Sequence, residues 1–134
     1  MLRTLAIAAA FAAALPALPS RALDLLMVEQ PGCVYCARWE AEIGPIWPRT
    51  EVAQAVPLRH VQKADGAPEG MRFARPVVFT PTFILVSDQG EELARLEGYP
   101  GENFFWPVIE KMVADHAPPA PAPETAPRPA PALD

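Results

Sequence analysis

Both cysteines of this 134-residue chain lie in one nine-residue stretch, PGCVYCARW, residues 31–39. The residues on either side restrict how that stretch can fold. Leu23 to Glu29, LDLLMVE, is a short apolar run that stops at Gln30-Pro31-Gly32, and it reads as a buried strand. Beyond the cysteines, Trp39, Ile43, Ile46 and Trp47 recur at the spacing of one helix face. Gly44-Pro45 should end or kink that helix. The expected order is strand, tight turn, cysteine pair, helix. It puts Cys33 at the helix N-terminus and Cys36 one turn inside.

The chain beyond this unit completes an α/β domain. Pro57 to Lys63, PLRHVQK, alternates in polarity and is expected to be a second strand. Ala64 to Arg75 holds glycines, a proline and few apolar residues, with room for one short helix from about Glu69 to Ala74. Thr82 to Val86 is a third strand, Ser87-Asp88-Gln89-Gly90 a hairpin turn, and Glu91 to Glu97 the return strand. After a turn at Gly98–Gly101, Asn103 is expected to cap an amphipathic helix carrying Phe104, Phe105, Val108, Ile109, Met112 and Val113. Pro107 falls in that helix's first turn or just beyond it. The order β, α, β, crossover, β, β, α implies a parallel first pair joined by a right-handed crossover. It predicts a four-stranded mixed sheet with helices on both faces. Trp39, Trp47, Phe104, Phe105 and Trp106 are expected in or near the core, with a docking patch of exposed aromatics as the weaker reading, and Tyr99 could fall on either side of that line.

The two ends read differently. Met1 to Ala22 combines a short basic start, the apolar run LAIAAAFAAAL and a small-residue site, the pattern of a cleaved signal peptide. Residues 117–134, APPAPAPETAPRPAPALD, are rich in proline and alanine without apolar periodicity, and are expected to be a disordered tail. Residues 23–116 are left as one domain. The net charge is −5, with no basic patch, so nucleic acid is not an expected partner. Export would place the cysteines in the periplasm, where thiols oxidise.

Several chemistries use two cysteines at this spacing. Covalent haem attachment needs histidine directly after the second cysteine, and Ala37 stands there. Structural zinc needs four ligands, and the chain has no second cysteine pair, only His60 and His116. A disulfide closed over so short a loop removes little unfolded-state entropy, so a purely stapling role is a poor use of it. A redox couple has a mechanism. The helix N-terminus presents free N–H groups and partial positive charge, which stabilise a thiolate at Cys33. Cys36, deeper in the helix, would resolve the mixed disulfide. No metal and no bound cofactor are expected, since the cysteines themselves carry the electrons.

The strand–turn–helix order, Cys33-Val34-Tyr35-Cys36 and the TPTFIL segment with Pro81 ahead of a strand together resemble the thioredoxin superfamily. PGCVYCARWEAEIGPIWP, ARPVVFTPTFIL and EGYPGENFFW are similar to the periplasmic thioredoxins encoded with bacterial sulfur-oxidation systems. The resemblance spans residues 24–115. It implies a thioredoxin-like fold with a short or missing second helix. It also implies a thiol-disulfide oxidoreductase in which Cys33 attacks and Cys36 resolves. Pro81 would be cis, leaving the Thr80 backbone open to a substrate strand, with Tyr35 and Val34 at the same binding surface. The implied partner is a protein thiol or disulfide, in particular the sulfur-oxidation carrier. The implied electron donor is a membrane thiol transporter, and the expected state is a monomer. The chain departs from the family at Gly32, where tryptophan is usual, and at Met27, where a buried acid is usual. Glu29 is a candidate replacement base, or simply a solvated residue at a strand end. Two other functions fit the same residues. One is a general periplasmic thiol reductase or isomerase, for example in cytochrome maturation. The other is a non-catalytic thioredoxin-fold module that binds a protein or a soft ion such as Cu(I).

Overall fold

The computed structural model describes residues 23–118. The expected signal peptide and residues 119–134 of the tail lie outside these. The elements are β1 (Leu23–Glu29), α1 (Val34–Glu42), α2 (Glu51–Ala55), β2 (Leu58–Gln62), β3 (Thr82–Ser87), β4 (Glu92–Glu97) and α3 (Glu102–His116). Single 3-10 turns lie at Trp47–Arg49 and Lys63–Asp65. The four strands form one sheet in the order β2-β1-β3-β4. β1 pairs parallel with β2 and antiparallel with β3, and β4 closes the hairpin. This is the expected mixed sheet, with the parallel pair where the α1 crossover requires it.

Strand alternation divides the apolar residues between two faces. Leu25, Met27, Phe83 and Leu85 meet Trp39 of α1, Ile43 at its C-cap, and Phe105, Ile109 and Met112 of α3. The rings interlock: Phe83 and Phe105 centroids lie 5.0 Å apart at 64°, and Trp39 lies 6.0 Å from Phe105. Fully burying side chains of this size is worth about 1.5–3 kcal/mol each. Shared contacts on that scale hold α1 and α3 on the same face. Val52 and Ala53 of α2 also pack there. Helices therefore flank the sheet, but all three α-helices lie on one face, which corrects the expectation of helices on both.

The opposite face, Leu26, Val28, Ile84 and Val86, is covered by Val61 and by Met71, Phe73 and Val77 from the loop between β2 and β3. The short helix expected at Glu69–Ala74 does not form. Glu69 and Gly70 form a turn instead, and the chain then runs extended through a bridge at Arg72. The Arg72 N–H donates to the Gly90 carbonyl at 2.8 Å, and the Glu92 N–H donates to the Arg72 carbonyl at 3.2 Å. An extended trace sends Met71 and Phe73 to the same side, onto the sheet, which a helix of this length could not do. The contact is close: a Cβ on Gly90, at φ +83°, would lie 1.9 Å from the Gly70 carbonyl oxygen.

Three further details differ from expectation. α2 is an unanticipated helix, capped by Thr50, whose Oγ1 accepts from the Ala53 N–H at 3.2 Å. It fully buries no side chain, so it carries no periodic signal. The cap of α3 is Gly101, not Asn103. At φ +96°, Gly101 turns the chain, and its carbonyl accepts from Phe104 and Phe105. Finally, Phe104 is 69% exposed and Val108 37% exposed. The buried stripe of α3 is Phe105, Ile109 and Met112, with Trp106 and Val113 partly buried beside it.

Candidate active site

Gly32, at φ +75°, turns the chain out of β1 toward the cysteines. Cys33 is the N-cap of α1, in extended conformation, and its Sγ accepts from the Cys36 N–H at 3.1 Å. The sulfur thus occupies the position of a capping oxygen, against one of the unpaired amides of the first turn. No acidic side chain stands in that turn to offset the helix field. Cys33 and Cys36 are joined as a disulfide with Cα atoms 5.2 Å apart. The two sulfurs are unequally placed: Cys33 is partly exposed, whereas Cys36 is 5% exposed and belongs to the core around Trp39. Only one of them can be reached from outside without disturbing the fold.

The Thr80–Pro81 peptide is cis. Thr80 makes no backbone–backbone hydrogen bond among the described residues, while the segments around it are tied down. The Gly98 N–H donates to the Pro81 carbonyl at 2.7 Å, Thr82 Oγ1 donates to the Phe79 carbonyl at 2.8 Å, and Lys63 Nζ donates to the Val78 carbonyl at 2.8 Å. Tyr35 and Thr80 line one open groove of about 490 Å³ with Phe79, Glu97, Gly98, Tyr99 and Pro100. Pro81, the residue after Thr80, is buried. Val34 does not line the groove, but Val34, Tyr35, Val78 and Phe79 are all more than half exposed. The disulfide therefore stands beside an apolar surface with an unpaired backbone segment in it.

Tyr99, ambiguous in the sequence, is a core residue with its hydroxyl turned to the site. The ring packs on Phe105 at 5.8 Å, and the hydroxyl donates to Glu42 Oε2 at 2.6 Å. Arg38 Nε donates to the other Glu42 oxygen at 2.8 Å, and its guanidinium lies 5.7 Å from the Tyr99 ring centre. The hydrogen bonds from Tyr99 and then Arg38 hold the Glu42 carboxyl below the usual carboxylate range. Burial, and then the bond to Glu42, push the Tyr99 phenol up. This cluster joins α1 to the Gly98–Gly101 turn, which forms the far wall of the groove. Its parts lie 57 residues apart, so no local sequence signal pointed to it.

Met27 is fully buried. The carboxylate of Glu29 turns to the neighbouring strand, where Gln62 Nε2 donates to it at 3.3 Å and His60 Nδ1 lies 3.5 Å away. His60 Nδ1 also lies 3.6 Å from Glu40 Oε1 of α1. His116 is the last residue of α3, with Nδ1 2.9 Å from the Met112 carbonyl.

A cysteine pair at a helix N-terminus, a cis-proline just ahead of β3 and a four-stranded mixed sheet together have a counterpart among known folds. The family model of the thioredoxin-like domain matches residues 20–113. The chain belongs to the thioredoxin-like family. The crystal structure of the periplasmic thioredoxin SoxS from Paracoccus pantotrophus, in its reduced form, matches with a TM-score of 0.65 at 53% identity. That match covers 69% of this chain and 96% of SoxS. Thioredoxin from Fasciola hepatica matches with a TM-score of 0.52 at 18% identity, covering 69% of this chain and 83% of that one, and shows the fold alone. No curated protein matches the chain. With the Cys33–Cys36 pair in place on this fold, the thioredoxin-like protein is a thiol-disulfide oxidoreductase.

Proposed function

We propose that this protein is a periplasmic thiol reductase that acts on a protein disulfide or mixed disulfide, with the sulfur-oxidation carrier as its partner. The observation that carries the reading is the unequal exposure of the two sulfurs at the helix N-terminus, beside the open groove. In the reduced enzyme the Cys33 thiolate, favoured by the α1 amides, attacks a sulfur of the partner disulfide. A Cys33–partner S–S bond forms, and the other partner sulfur leaves as thiolate and takes a proton. Cys36 then loses its proton and attacks Cys33 Sγ. The second partner sulfur is released as a thiol, and the Cys33–Cys36 disulfide closes. Two electrons have passed to the partner. A membrane thiol transporter returns the enzyme to the dithiol. No cofactor takes part, and the enzyme works as a monomer.

Thr80, Pro81, Tyr35 and Val34 form the substrate surface in this reading. The unpaired Thr80 backbone suits an extended partner segment, added as a strand would be. Support for the sulfur-oxidation partner and for the periplasm comes from the 53% identity to a protein that is itself a periplasmic thioredoxin named SoxS.

The test is Cys36→Ser in the native host, which removes the resolving thiol and should leave the partner bonded to Cys33. One dominant adduct that proves to be the sulfur-oxidation carrier is the expected result. A spread of unrelated adducts would replace this reading with a general periplasmic thiol reductase. In the same assay, Cys33→Ser should trap nothing and abolish disulfide reduction.

A further inference from the structure

We propose that Glu29, Glu40 and His60 form a site for a divalent transition-metal cation of the zinc class. The three side chains come from three elements: the end of β1, the outer side of α1, and β2. One ligand atom from each lies within 4.8 Å of the others. His60 Nδ1 stands 3.5 Å from Glu29 Oε1 and 3.6 Å from Glu40 Oε1. These separations are too long for good hydrogen bonds. The two histidine–carboxylate separations suit one ion: metal–ligand bonds of about 2.0–2.2 Å in tetrahedral geometry put neighbouring ligand atoms roughly 3.3–3.6 Å apart. Two carboxylates lie within ion-pair reach of one imidazole, and a cation held among the three would offset the repulsion between the carboxylates.

The donor set selects the class of ion. An imidazole nitrogen with two carboxylate oxygens suits zinc, whereas calcium takes six to eight oxygens and magnesium a near-ideal octahedron. Outer contacts orient the ligands. Gln62 Nε2 donates to the Glu29 oxygen, and the fully buried Trp39 ring stands edge-on to His60 at 6.2 Å. All three ligands are partly open to solvent, leaving the fourth position to water. Because Glu40 sits on α1, a bound ion would tie the cysteine-bearing helix to β1 and β2. Around the cysteines the chain lacks the four ligands that structural zinc needs. This site uses neither cysteine, so it stands independently of the redox reading.

The test is calorimetric titration of zinc chloride into the oxidised full chain, where the closed disulfide removes the competing thiols. The expected result is one ion per chain, bound at least tenfold more weakly by both His60→Ala and Glu40→Gln, and not displaced by magnesium. Circular dichroism confirms that the exposed substitutions leave the fold intact. No saturable binding, binding that survives both substitutions, or binding lost only on His116→Ala would each overturn the proposal.

Discussion

Cys33 and Cys36 differ by one helical turn, and that turn separates a reachable sulfur from a buried one. The first accepts from an amide of the kind that any helix start supplies. The groove beside it depends on a less obvious residue. Tyr99 carries the hydroxyl that holds Glu42, and through Glu42 it fixes the turn opposite Thr80. Tyr99→Phe removes the larger of the two hydrogen bonds that depress the Glu42 carboxyl. Carboxyl-carbon NMR titration should therefore show Glu42 rising toward the ordinary carboxylate value, with the Arg38 bond keeping it from rising fully. The linked stability has a definite sign. A carboxyl depressed in the folded state stabilises the fold above its unfolded value, and that contribution is lost as pH falls through the folded value. Tyr99→Phe should flatten the acid side of the stability profile. The placement of the two cysteines, one at the helix start and one a turn inside, was legible in the sequence because spacing and a local turn define it. The Tyr99–Glu42 bond was not, because it joins residues that only the fold makes neighbours.

At the scale of elements, the segment between β2 and β3 is fastened to β4 by charged side chains. Arg95 meets Glu92 through two bonds, of 2.6 and 2.7 Å, with both side chains about 5% exposed. Arg95 also donates to the Arg75 carbonyl at 2.9 Å, Glu92 accepts from the Ala74 amide at 2.8 Å, and Arg75 pairs with Glu97. Arg72 pairs with Glu91 at the same edge. Burial works against ionised Glu92, but the bonds from Arg95 and Ala74 prevail and hold its carboxyl below the usual range. Arg95→Met leaves that carboxylate without its cation. It should cost about 3 kcal/mol at neutral pH, read from urea unfolding midpoints. The cost should shrink in acid, once Glu92 is protonated and no buried charge is left unpaired. A helix predicted at Glu69–Ala74 from composition missed this arrangement. Local propensity carries no information about a clamp whose other half lies on β4.

Across the whole molecule the two faces of the sheet are built differently. One is packed by helices around interlocked aromatic rings; the other is covered by a loop that rests on Phe73, Met71 and Val77. Phe73→Ala should open the second face and cost about 2–3 kcal/mol, less than a fully buried ring because Phe73 is partly exposed. Amide exchange of β1 and β3 should accelerate in that variant, since these strands lie under the loop. If exchange in β1 and β3 were unchanged, the loop would not be the cover on which the sheet depends.

By itself the sequence determined the parts that depend on neighbours along the chain. These were β1, the turn at Gly32, α1 with Cys33 at its head, the hairpin at Gly90 and the mixed parallel and antiparallel character of the sheet. Each follows from side-chain periodicity, a glycine or proline at a turn, or the handedness of a crossover. Only the tertiary structure decided which face each helix covers, why the chain runs extended at Arg72, and which stripe of α3 is buried. It alone brought Glu29, Glu40 and His60 together. Those outcomes come from packing and charge pairing between residues far apart in the chain. Their energies exist only once the sheet has formed, so no local pattern encodes them.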